Sequence, residues 1–144
     1  MRAPDRGFSL IELLVVLAIV SLLVGASAVG FNIARTPRML GLAAAQIVAD
    51  LRAAQQRARL ERVEYVVTFS VGSGHYGIAR VEGGGVQRVK LPRGVVISAT
   101  TWRAHRVTFS TFGDPHQTGK IHIRNRAGER SVYVDEMGRI STTP

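Results

Sequence analysis

An unbroken apolar run near the start constrains this chain more than any other feature. From Phe8 the sequence reads FSLIELLVVLAIVSLLVGASAVGF, and the twenty-two residues from Phe8 to Val29 carry one charge, Glu12. A helix of that length spans roughly 33 Å, enough for a hydrocarbon core of about 30 Å. The seven residues before it, MRAPDRG, are polar and hold Arg2 and Arg6 against Asp5. Basic residues ahead of an apolar span keep the N-terminus cytoplasmic and send the rest across the inner membrane.

A run like this is either a retained anchor or a disposable secretory signal. Ala26-Ser27-Ala28 fits the small-x-small cleavage pattern of the second. Glu12 favours the first. A mid-membrane carboxylate costs on the order of 2.5–3.5 kcal/mol, less near the interface. A discarded segment gains nothing from that cost, whereas a retained helix gains if Glu12 later meets a cation. The alternative for Glu12 is that it snorkels to the interface.

The stretch Gly7-Phe8-Ser9-Leu10-Ile11-Glu12-Leu13-Leu14-Val15-Val16-Leu17-Ala18-Ile19 resembles the processing motif of type IV prepilins and type II secretion pseudopilins. The resemblance implies that a prepilin peptidase cuts between Gly7 and Phe8 and methylates the new amine of Phe8. It also implies that Glu12 pairs with the N-terminal amine of a neighbouring subunit. The physics is compatible: an ammonium and a carboxylate, each costly alone in low dielectric, offset one another when paired.

Thr36-Pro37 is expected to kink or briefly break the helix. Beyond it Leu40, Ala44, Ile47, Leu51, Ala54 and Ala58 recur at spacings of three and four, one apolar stripe of an amphipathic helix ending near Arg62. From Val63 the period becomes two. Val63, Tyr65, Val67, Phe69 and Val71 share one strand face, and further strands are expected near 76–81, 86–91, 95–101, 106–112, 120–124 and 130–134. Gly72-Ser73-Gly74, Gly83-Gly84-Gly85, Pro92-Arg93-Gly94, Gly113-Asp114-Pro115 and Ala127-Gly128 punctuate them. The expected fold is α+β: a long N-terminal helix packed on an antiparallel β-sheet. It divides into a leader at 1–7, a transmembrane helix at 8–29, a periplasmic amphipathic helix at 30–62 and an antiparallel β domain at 63–144.

Val107-Thr108-Phe109-Ser110 with Gly113, then Lys120-Ile121-His122-Ile123 and Gly138-Arg139-Ile140, resemble the GspH/FimT group of minor pseudopilins and minor pilins. The chain has no cysteine, so it lacks the C-terminal disulfide loop usual in major pilins. The resemblance implies an H-type minor pseudopilin of a type II secretion system, with a FimT-like minor pilin that binds DNA for uptake as the alternative. The implied partners are the prepilin peptidase, other pseudopilins or minor pilins, inner-membrane lipid and a secreted substrate.

No enzyme, cofactor or metal site is expected. His75, His105, His116 and His122 have no metal-ligand spacing, and no cysteine assists them. Gly83-Gly84-Gly85 lacks the Lys-Ser/Thr of a phosphate loop. Asp135 and Glu136, as sequence neighbours on a strand, face opposite ways.

The net charge is +9, and only Lys90 and Lys120 of the basic residues are lysines. Lys120, His122 and Arg124 alternate on one strand face, with Arg126, Arg130 and Arg139 following. This is the candidate DNA-binding set, Lys120, Arg124, Arg126, Arg130 and Arg139, and it belongs to the DNA-uptake alternative. The nearby aromatics are Tyr133 and Phe112, a poor stacking platform, so a solvated face is the simpler reading.

Overall fold

The computed structural model describes residues 9–143, with backbone alone for residues 26–37. The described residues fall into two compact units that divide between Arg35 and Thr36. Helix α1, Leu10–Glu61, contributes to both. The helix runs on through Pro37, which does not end it.

In the first unit the large apolar side chains described, from Leu10 to Val24, are exposed. Leu10 is 78% exposed and Leu22 74%, and Leu13, Leu14, Val15, Val16 and Leu17 are also exposed. Among the described residues no helix is long and apolar enough to cross a membrane. The part of the run described with side chains ends at Gly25. From Leu10 it reaches only about 24 Å at the rise of an α-helix.

The second unit is built on the amphipathic half of α1, which is rich in alanine, leucine, glutamine and arginine, the best helix formers. Leu40, Ala44, Ile47, Leu51, Ala54 and Ala58 are all buried, together with Ala43. Arg62 ends the helix in the left-handed conformation at φ 56°. Glycine usually fills that cap position.

Eight strands follow: β1 Tyr65–Phe69, β2 His75–Arg80, β3 Gln87–Lys90, β4 Val96–Thr100, β5 Arg106–Phe109, β6 Gly119–Asn125, β7 Gly128–Val134 and β8 Ile140–Thr143. They form two antiparallel four-stranded sheets rather than one, in the orders β3-β2-β1-β5 and β4-β6-β7-β8. The chain visits the second sheet with β4 and returns to the first with β5. Two bonds tie the β1–β2 turn to β4: Gly72 N–H donates to the Ile97 carbonyl at 2.9 Å and Ile97 N–H to the Ser73 carbonyl at 2.8 Å.

Alternation is kept in β1, β2, β6 and the second half of β7. Tyr65, Val67 and Phe69 of β1, Ile121 and Ile123 of β6, and Val132 and Val134 of β7 are buried in one core with the α1 stripe. Phe69 stacks on Trp102 at 5.5 Å between ring centroids. Val63 lies ahead of β1 and is half-buried, while Val71 falls in the turn and is 40% exposed, so the shared face is limited to Tyr65, Val67 and Phe69.

Candidate functional site: the N-terminal helix and the sheet surfaces

Glu12 lies in the first turn of α1, which is anchored by Leu13 N–H donating to the Ser9 carbonyl at 3.2 Å. The helix dipole favours a carboxylate at that end. No cation of the described residues pairs with Glu12. Its neighbours Leu10, Ile11, Leu13 and Val16 are exposed apolar groups on all sides of the helix. Among the side chains described up to Gly25, the polar Ser21 is satisfied within the helix, its hydroxyl donating to the Leu17 carbonyl at 2.8 Å. Such back-bonding to the preceding turn leaves the Ser21 hydroxyl with a partner of its own. A helix apolar all round requires lipid or other helices around it. Gly7 and Phe8, the expected cleavage and methylation positions, lie outside the described residues.

The basic residues singled out on the C-terminal strands are dispersed. Lys120 and Arg124 are exposed on the outer face of the second sheet, with the half-buried His122 between them. Tyr133 lies opposite Lys120, Ser131 opposite His122 and Glu129 opposite Arg124. Lys120 Nζ sits 5.8 Å from the Tyr133 ring centroid. His122 Nδ1 is 2.9 Å from Ser131 Oγ and 3.0 Å from Glu129 Oε1.

Arg126 is in the β6–β7 turn. Arg130 pairs in register with the inward Ile123, which puts it on the opposite side of the sheet, near Arg52, Val48 and Thr142. Arg139 is bound to Asp135 at 2.6 Å. Asp135 also accepts the Arg139 backbone N–H at 2.8 Å. These contacts hold its carboxyl below the ordinary range, the backbone bond most of all. The structure thus brings Lys120, His122 and Arg124 together, with Arg126 in the adjoining turn, and separates Arg130 and Arg139 from them.

One constellation is absent from the sequence reading. Arg52, Gln55 and Arg59 recur at helical spacing on α1 and grip two loops. Arg52 donates to the Ile140 carbonyl at 3.2 Å, and Arg59 Nε to the Phe112 carbonyl at 2.7 Å. Gln55 Nε2 donates to both the Gly113 carbonyl at 2.8 Å and the Gly138 carbonyl at 3.1 Å. Gly113 has φ 83° and Gly138 has φ 70°, and a Cβ on either would strike Arg59 or Gln55. Only glycine takes that backbone conformation at no steric cost. These are the two glycines of the GspH/FimT-like pattern, and their spacing from a polar helix face was the available signal.

Residues 2–28 match the family described as the prokaryotic N-terminal methylation motif. The fold is similar to that of the type IV minor pilin FimU of Pseudomonas aeruginosa, with a TM-score of 0.63 and 17% identity over 75% of this chain and 90% of that one. The chain carries the N-terminal methylation motif and has a pilin-like fold. Its fold is also similar to that of the minor pseudopilin EpsH from the Vibrio cholerae type 2 secretion system, with a TM-score of 0.60 and 13% identity over 72% of this chain and 95% of that one. No curated protein matches at a significant level by sequence.

The methylation motif implies processing by a prepilin peptidase and anchoring at the inner membrane through the N-terminal segment. Among the described residues no cluster of His, Asp or Glu has the arrangement of a metal site.

Proposed function

We propose that this pilin-like chain is an H-type minor pseudopilin of a type II secretion system. After cleavage between Gly7 and Phe8 and methylation of the Phe8 amine, α1 stays in the inner membrane with its N-terminus cytoplasmic and the β domain periplasmic. Glu12 then meets the amine of a neighbouring subunit, and the helix is drawn from lipid into a periplasmic pseudopilus. The sheet surfaces contact neighbouring subunits or a secreted substrate.

One observation carries the reading: a helix exposed and apolar on all sides, with a single carboxylate in its first turn and, among the described residues, no cation for it. Such a helix is incomplete alone, and similar helices with free N-termini complete it.

A second reading is a FimT-like minor pilin of a type IV pilus with DNA binding for uptake. The fold is as similar to FimU as to EpsH, which suits a pilus subunit equally well. The DNA part has less support, because Arg130 and Arg139 are held away from Lys120 and Arg124. Deletion of the gene separates the two. Loss of secreted proteins from the medium with surface pili intact supports the pseudopilin; loss of pili or of transformation with secretion intact supports the minor pilin.

A further inference from the structure

The first sheet packs one face on α1 and leaves the other bare, and that outer face is patterned. Its middle is small and apolar: Val66 of β1 and Ala79 of β2 are half-buried, and Val86, 67% exposed, lies over Gly77. A Cβ on Gly77 would come within 2.8 Å of Val86 Cγ1, so only glycine lets Val86 settle there.

Its two edges are cationic. Register places Arg88 of β3, Gly77, Thr68 and Arg106 of β5 in one row across the sheet. Lys90 extends the first edge and Arg103 the second. Among the described residues, none of these four cations has a side-chain hydrogen bond or ion pair. No outward residue of the four strands is acidic; Glu64, just ahead of β1, is already 3.2 Å from His116 Nε2.

The second edge is also strained. Ala104 at φ 51° and His105 at φ 54° hold consecutive left-handed conformations. Residues with a Cβ seldom adopt that region, and fewer still do so twice in succession. They set Arg103 beside Arg106 around a hollow of about 230 Å³, completed by Thr108 and His116.

We infer that this outer face is a docking surface for an amphipathic helix with acidic flanks on a partner protein. The inference rests on the assembly reading above. Three strand spacings separate the cationic edges by about 14 Å, and a helix with its side chains is about 10–12 Å wide. An apolar stripe fits the Val66–Ala79–Val86 floor, and flanking carboxylates reach the arginines on either side. A nucleic acid fits less well. The aromatic residues of these strands, Tyr65, Phe69, Tyr76 and Phe109, are buried, so bases have no platform. A phosphate chain also gains nothing from an apolar floor.

The test uses the full chain in non-ionic detergent with three probes: a synthetic amphipathic helical peptide flanked by glutamates, the same peptide with glutamine at those positions, and duplex DNA. The acidic peptide is expected to bind about tenfold more tightly than the neutral one and to weaken as salt rises. Arg88→Glu with Arg106→Glu is expected to remove that difference without shifting the thermal midpoint, since neither side chain has a partner to lose. Equal binding of the two peptides, or unchanged affinity in the double variant, overturns the inference. Duplex DNA that binds more tightly than the acidic peptide and displaces it makes the face a nucleic-acid surface and overturns it too. None of these outcomes depends on whether the chain serves secretion or piliation, so failure here leaves the filament assignment standing.

Discussion

Tyr76 and Asp50 tie the second unit together at the scale of single residues. Tyr76 is 1% exposed, and its hydroxyl donates to the Asp50 carboxylate of α1. Burial first, and the Asp50 bond next, raise the phenol well above its ordinary value. In the unfolded chain the phenol ionises near pH 10. Its contribution to stability is therefore complete below about pH 10 and is lost as pH rises beyond it. Unfolding followed through Trp102, the single tryptophan, should show wild type losing stability above about pH 10 more steeply than Tyr76→Phe. At neutral pH that variant should cost about 1.5–3 kcal/mol, because a charged acceptor loses its donor. Gln55→Ala removes two bonds to loop carbonyls. It should cost about 1–3 kcal/mol in the same assay. The Asp135–Arg139 clasp has the opposite pH sense. Its lowered carboxyl pKa gives a contribution present above about pH 4 and lost as pH falls through the folded value.

Among the elements, the amphipathic half of α1 and strands β1 to β7 were legible, because burial follows a period near 3.6 and then of two. β8 was not: Ile140–Thr143 offers only one buried residue, Ile140. Nor was the split into two sheets, since the partner of β4 is decided by long-range pairing with β6 and not by any local pattern. The basic strand face was half legible. Lys120, His122 and Arg124 alternate as read, but the position of Arg130 depends on register. Asn125 pairs with Gly128 around a two-residue turn, and that count alone places Arg130 opposite Ile123, on the inner side. The turn was visible in the sequence, and its consequence for β7 was the missing step. Two predictions belong to these elements. Glu12→Val lowers the transfer cost of α1 and should still insert, yet should fail to enter filaments; detergent extraction and filament pull-down measure the two separately. Arg124→Ala with Arg126→Ala should leave secretion intact. If duplex DNA binds there instead, affinity must fall with salt at about −0.9 per phosphate, and the variant should flatten that slope by about two phosphates.

At the scale of the whole molecule, helix α1 contributes both to an apolar N-terminal segment and to a two-sheet domain, and the central claim is that this segment survives processing. The small core residues of α1 and the glycine loops clasped by Gln55 tie the second half of that helix to the folded domain. Gly7→Leu should leave uncut precursor in the membrane, because the peptidase must approach the backbone at a residue without a side chain. The most direct measurement is mass spectrometry of the N-terminus of protein extracted from membranes. A mature chain beginning at Phe8 with a methylated amine is the predicted result. A chain beginning at Val29, released by cleavage after Ala28, would contradict the account.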